Sequence, residues 1–157
     1  MPESPFPAIG SLAPDFTAPA TGGQTITLSQ YRGTRRVILS FYPRDFSWGC
    51  TRQLCSYRDH YAELGRRNAV IIGVSPNTPD SQQKFSNRHH FPFPLVSDRE
   101  GRIARRYGVA RRLGSSLRRV TFVIDDAGII RGIIRHELAM RQHLTEALGV
   151  LDRLETQ

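Results

Sequence analysis

"FYPRDFSWGCTRQLC", residues Phe41 to Cys55, holds both cysteines of this 157-residue chain, five positions apart and directly after an apolar run. That run, "RVILSFYP", is continuous and ends at Pro43, the pattern of a strand buried on both faces. From Thr51 to Leu64 neither glycine nor proline occurs, and Leu54, Tyr57, Arg58, Tyr61 and Leu64 recur at helical spacing. The stretch thus predicts a strand handing over to a helix that begins at about Cys50. The two thiols then sit at the carboxyl end of a strand, where α/β folds keep their sites.

The flanking sequence extends this pattern. Residues 1–21, rich in proline and small residues, read as an extended arm wrapping the surface. "GGQTITLSQYRG" supplies a turn, a short strand at Thr25 to Leu28 and another turn. "AVIIGVS" (Ala69–Ser75) is a second buried strand, and "PDSQQKFSNRHH" a helix capped near Asp80-Ser81. A short strand at Pro94 to Ser97, a helix near Arg102 to Tyr107, and a hairpin over "RVTFVIDDAGIIRGII" come next. A helix from Met140 to Leu154 closes the chain. Strands alternating with helices, then a terminal hairpin and helix, define an α/β protein with a central mixed β-sheet flanked by helices. A thioredoxin-like fold in one domain spanning residues 1–157 is the expectation.

Composition narrows the function classes. The start of the chain has no basic segment leading into an apolar stretch, so no secretory signal is expected. No apolar run approaches the roughly 20 residues of a membrane span. We expect a cytoplasmic protein with reduced thiols and no membrane partner. The net charge of +8 raises the question of nucleic acid. Yet the basic residues are scattered, as in Arg35-Arg36, Arg66-Arg67, Arg105-Arg106, Arg111-Arg112 and Arg118-Arg119, with no basic block. That scatter favours a solvated arginine-rich surface, leaving an arginine-rich nucleic-acid-binding module with incidental thiols as a competing class. A thioredoxin-like disulfide reductase is another competitor, but it calls for C-x-x-C, which the chain lacks. Zinc is disfavoured as well. Cys50, Cys55 and His60 are evenly spaced, but steps of five place their side chains about 140° apart around a helix.

Cys50 and Cys55 differ in setting. A thiol at a helix start meets unpaired N–H groups and the positive end of the helix dipole, both of which favour an anion. Thiolate nucleophilicity falls as acidity rises, so acidity alone gives little rate, and neighbours must stabilise charge in the transition state. Cys55, within the helix, reads equally as a buried packing residue.

Pro43, Ser47 and Cys50 stand at the spacing P-x-x-x-(T/S)-x-x-C, which resembles the active-site motif of the peroxiredoxins. With Cys55 in place, the chain is similar to the bacterioferritin co-migratory protein, or peroxiredoxin Q, branch. "APDFTAPATGGQTITLSQYRG", "VILSFYPRD", "IIGVSPNT", "FPLVSDREG" and "RVTFVIDDAG" resemble family segments in the family's order, over roughly Leu12 to Gly132. The resemblance implies a thioredoxin fold and a thiol peroxidase acting on hydrogen peroxide and organic hydroperoxides, with no cofactor and no metal. Cys50 would be the peroxidatic cysteine and Cys55 the resolving one, joined in a disulfide that thioredoxin or a similar dithiol reduces. Ser47 would hydrogen-bond the peroxide, Pro43 would wall the thiolate from water, and the Gly49 and Cys50 N–H groups would face developing charge. Arg119, three residues before Phe122, matches the family's strand arginine, with Arg118 as its neighbour and confounder. A monomer or weak homodimer is expected. Trp48, Gln53 and Ser47 depart from the branch, which usually has proline, glutamate and threonine there.

Two helical residues five apart have Cα atoms about 8 to 9 Å apart, whereas a disulfide needs less than about 7 Å. Joining the two cysteines therefore requires the first turns of the helix to unwind.

Overall fold

The structure, a computed structural model, describes residues 5–111 and 117–156; the first four residues of the expected arm and Arg112 lie outside these. Five strands form the central sheet: β3 (Arg36–Phe41), β4 (Ala69–Ser75), β5 (Leu95–Ser97), β6 (Val120–Ile124) and β7 (Ile130–Arg135), in the order β5-β4-β3-β6-β7. The β3–β4 and β4–β5 pairs are parallel, and β3–β6 and β6–β7 antiparallel, so the sheet is mixed. The fold is the expected thioredoxin-like α/β arrangement.

Alternation along β3 shows how the sheet divides the core. Val37, Leu39 and Phe41 join one apolar cluster with Phe6, Phe16, Ile26, Tyr107 and Phe122, while Ile38 joins another with Cys50, Leu54, Tyr57, Phe85 and Leu151. The second layer is built by α1 (Trp48–Asp59), α2 (Tyr61–Arg66), α3 (Pro79–His89) and α5 (Met140–Glu155). The short α4 (Arg102–Arg106) contributes Ile103 and Ala104 to the first. Cys50 therefore lies in the layer shared by α1 and α5. Among the described residues, no helix is long and apolar enough to cross a membrane.

Local differences from the sequence reading have identifiable causes. The segment expected as an arm is extended, but Thr17–Pro19 forms β1, antiparallel to β2 (Thr25–Thr27), and Phe6, Ala13 and Phe16 enter the core rather than wrapping the surface. Helix α1 starts two residues before Cys50 because Ser47 serves as its N-cap. The helix read as continuous to Leu64 breaks at His60, whose backbone (φ −114°, ψ 20°) is non-helical. Helix α3 is capped by Thr78, with Pro79 at its first position, rather than at Asp80-Ser81.

Candidate functional site

Strand β3 delivers the chain to Pro43, and the five residues Pro43–Ser47 lead into α1. A buried carboxylate fixes this loop. Asp45 accepts from the Tyr42 hydroxyl at 2.8 Å and from Ser81 Oγ at 2.7 Å, and its own N–H donates to Asn77 Oδ1 at 2.9 Å. Burial raises the Asp45 carboxyl above its ordinary range, against the lowering effect of the three hydroxyls around it. Phe46 takes a left-handed backbone (φ 63°), a costly conformation for a bulky residue. The loop is thus held in one shape by β4, α3 and its own strain, and it aims α1 at the end of β6.

Ser47 Oγ accepts the Cys50 N–H at 3.4 Å and donates its proton to the Arg44 carbonyl at 3.0 Å. The Cys50 N–H, expected to face developing charge, is thereby turned toward the cap, and the Ser47 hydroxyl proton is engaged within the turn. The thiol itself is wholly buried, with 0% exposure. Arg119, 6% exposed and just before β6, donates from Nη1 to Cys50 Sγ at 3.3 Å and to Gln53 Oε1 at 2.7 Å. Its Nε is buried with no acceptor among the described residues. An unmet buried donor costs about 1 to 3 kcal/mol, so the guanidinium keeps hydrogen-bonding capacity that no described residue uses. Arg118 borders a neighbouring groove with Arg111 and Arg135, which Arg119 also reaches, but it does not line the cleft of Pro43 and Ser47.

Gln53 holds Arg119 as a neutral acceptor, and among the described residues no carboxylate forms an ion pair with that guanidinium. An anion at Cys50 would be its counter-charge. The Gln53 amide then opens a buried hydrogen-bond chain. Its Nε2 donates to Ser40 Oγ at 2.8 Å and to the Tyr57 hydroxyl at 3.1 Å. Ser40 is 2.8 Å from Thr121 Oγ1, which lies 2.8 Å from His143 Nδ1. His143 Nε2 donates to the His136 carbonyl at 2.8 Å, and with the imidazole neutral its Nδ1 accepts from Thr121. Arg119 thus donates both to the thiol and to Gln53, and the chain continues from Gln53 to His143 on α5.

Burial pushes the His143 imidazole down to about 4. The unfolded chain binds that proton near pH 6.5, an ordinary histidine value of about 6.5. Stability from this group is therefore complete above about pH 6.5 and is lost as pH falls toward 4, by about 3 kcal/mol. In His143→Gln the stability gap to the parent protein, measured by urea unfolding at pH 7 and pH 4, is expected to narrow by about that amount. A gap independent of pH would show that His143 is not held neutral.

The site opens through a cleft of about 880 Å³ lined by Pro43, Arg44, Trp48, Arg99, Leu138 and Met140. Trp48, 74% exposed, carries the Arg52 guanidinium 5.3 Å from its ring centre. Cys55 lies away from this cleft, half-buried, with Sγ 3.9 Å from His89 Nδ1. Both cysteines are free. The structure therefore brings Pro43, Ser47 and Arg119 around one cleft, with Cys50 buried against Arg119, and keeps Cys55 apart. Sequence reasoning missed Asp45, the acceptor role of Gln53, and the Tyr57–Thr121–His143 chain; these depend on contacts between distant segments that carry no local pattern.

A mixed sheet with one buried thiol at the strand-to-helix junction, facing an arginine that immediately precedes a strand, belongs with the thioredoxin-fold proteins organised around a single cysteine rather than a C-x-x-C pair. The AhpC/TSA family model matches residues 9–133, and the chain belongs to that family. It is 34% identical over 146 residues to the chloroplastic peroxiredoxin Q of Triticum aestivum, covering 92% of this chain and 67% of that one. It is 33% identical over 149 residues to a putative peroxiredoxin bcp of Coxiella burnetii, covering 91% and 97%. Among solved structures, the peroxidoxin BcpB of Mycobacterium tuberculosis superposes with a TM-score of 0.87 at 33% identity, covering 92% of this chain and 96% of that one.

Proposed function

We propose that the protein is a thiol-dependent peroxidase in which Cys50 is oxidised by a hydroperoxide and Cys55 resolves the product. The 3.3 Å contact of Arg119 with the Cys50 sulfur carries this reading. The Cys50 thiolate attacks one peroxide oxygen, the O–O bond breaks, and the other oxygen leaves as water or an alcohol after taking a proton, giving Cys50 sulfenic acid. Arg119 donates to the sulfur and, through its unspent donors, to the peroxide, so charge moving from sulfur to oxygen stays beside the guanidinium. Pro43 contributes a wall without an N–H. Ser47 keeps a lone pair for the peroxide O–H while it caps the helix.

In the second step the Cys55 thiol attacks the Cys50 sulfenic sulfur, water leaves, and a Cys50–Cys55 disulfide forms. Thioredoxin or a similar dithiol then reduces it. The helical separation of the two cysteines requires the first turns of α1 to open between these steps. The protein acts as a monomer or weak homodimer in this scheme. The named relatives include both chloroplast and bacterial proteins, and a reducing compartment such as the cytosol keeps both thiols reduced between turnovers. A nucleic-acid module is not favoured: Arg36, Arg58, Arg67, Arg102, Arg111 and Arg131 pair with carboxylates.

Peroxide consumption coupled to thioredoxin and its reductase, comparing hydrogen peroxide with organic hydroperoxides, tests the whole cycle. Trp48, two residues before Cys50, reports on the opening step. One equivalent of peroxide is expected to give a fast fluorescence phase for sulfenic acid formation and a slower phase, independent of peroxide concentration, for opening and ring closure. In Cys55→Ser the slow phase should disappear, and excess peroxide should carry Cys50 to sulfinic acid. A slow phase that survives in that variant would make Cys55 a packing residue.

A further inference from the structure

The cycle uses Cys55 on α1 but gives no role to the imidazole beside it, His89 at the end of α3. Sγ and Nδ1 are 3.9 Å apart, within reach of a hydrogen bond to sulfur. The imidazole is fixed from two sides. It stacks on Phe91 at 5.6 Å and an interplanar angle of 23°, and meets Phe85 edge-on at 5.4 Å and 84°. Its backbone carbonyl accepts from Arg58 Nη1 at 2.7 Å, three residues beyond Cys55. With Leu54 and Tyr57 wholly buried, that bond pins the second half of α1 to α3. In the proposed cycle it is then the Cys50 end of α1 that unwinds, and Cys55 stays beside His89 while Cys50 comes to it. A groove of about 720 Å³ bounded by Phe46, Trp48, Thr51, Arg52, Arg88 and His89 leads from the start of α1 to the imidazole.

We propose that His89 is the general base and then the general acid of disulfide closure. Resting on the Cys50–Cys55 cycle proposed above, the step balances as follows. His89 Nδ1 takes the Cys55 S–H proton, and the thiolate electron pair forms the S–S bond. The Cys50 S–O bond breaks, and the imidazolium returns the proton to the departing oxygen, which leaves as water. No external oxidant or base is consumed.

The electrostatics of the pair suit this order. Burial raises the Cys55 thiol above its ordinary value, with Arg58 opposing and Asp59 reinforcing, so little thiolate exists at neutral pH without a base. Burial, together with the Arg58, Arg88 and His90 charges, lowers His89, which keeps its ring neutral and able to accept. Arg52 on α1 is the other charged group bordering the groove.

Because the proton is passed within the pair, the slow phase should be flat between about pH 6.5 and 8.5, the ordinary histidine and cysteine values. In His89→Gln it should be slower at pH 7 by about a hundredfold, the lower end of what a positioned proton-transfer group contributes. It should also rise with pH as Cys55 ionises. The fast phase, which precedes any involvement of His89, checks that the variant is folded. His89→Ala with added imidazole gives a second measurement: a slow phase restored in proportion to imidazole supports proton transfer, since a packing role would not respond. His90→Gln, one residue on and exposed, should leave the slow phase unchanged. If a Cys50–Cys55 disulfide is mapped by mass spectrometry in both parent and His89→Gln, at equal rates and with equal pH profiles, His89 has no such role and the cycle stands. If no disulfide forms in the parent protein, the cycle fails and this step with it.

Discussion

Cys50→Ser is expected to fold and to consume no peroxide in the presence of a dithiol reductant. The site is wholly buried, and serine is only slightly smaller than cysteine, so the cavity term is small. The new hydroxyl does not become an orphan, because Arg119 Nη1, 3.3 Å from the sulfur, can donate to it. A stability change of about 1 kcal/mol is the expected scale. Chemistry, by contrast, should be lost altogether, since a serine hydroxyl at this position has no base to take its proton and no accessible sulfenic state. Cys55 cannot substitute: its thiol faces His89 and not the cleft of Pro43, Trp48 and Met140. Peroxide loss followed by dye assay, with thermal unfolding as the control for folding, checks this. Turnover in a folded Cys50→Ser protein would remove Cys50 from the reaction.

What the sequence shows and what it hides follow from the range of the interactions. Strands such as "AVIIGVS" and the hairpin around Asp125–Gly128 are legible because burial on one or both faces leaves a local imprint. The loop into α1 is legible only in part. Pro43 and Ser47 mark a turn and a cap, but nothing near Asp45 announces that its carboxylate will be enclosed by Tyr42 and Ser81. The break at His60 carries no glycine or proline, so periodicity alone runs the helix through it. Gln53 is visible as a departure from the family pattern, and its consequence is structural: an amide fills the place beside Arg119 and, having donors as well as an acceptor, passes the hydrogen-bond chain on to Ser40 and Tyr57. A carboxylate could accept from Arg119 but could not donate onward unless protonated. The direction of the chain toward His143 thus depends on this residue, and no local spacing in the sequence connects positions 53, 121 and 143.

Arg119→Met is expected to slow Cys50 oxidation by roughly thirty- to a thousandfold, the rate equivalent of losing about 2 to 4 kcal/mol of charge stabilisation in a water-excluded site. Methionine fills much of the volume left by the arginine stem but provides no N–H. The thiol then loses its donor, and Gln53 Oε1 loses the 2.7 Å bond that holds the amide's orientation. Part of the damage could therefore be structural, and the control must be a residue of equal charge and similar place. Arg118 is that residue: it is adjacent in sequence and shares a groove with Arg119, Arg111 and Arg135, but it does not line the cleft of Pro43 and Ser47 as Arg119 does. Arg118→Met removes the same charge from the same strand end, so a long-range electrostatic contribution would appear in both variants while direct donation appears in one. Arg119→Lys adds a second discrimination, because it keeps the charge and loses the planar fork that reaches Cys50 and Gln53 together. The expected order of rates in stopped-flow oxidation is parent and Arg118→Met nearly equal, Arg119→Lys slower, Arg119→Met slowest. Equal slowing by the Arg118 and Arg119 substitutions would mean that net positive potential at the mouth of the cleft, and not donation at 3.3 Å, drives the first step.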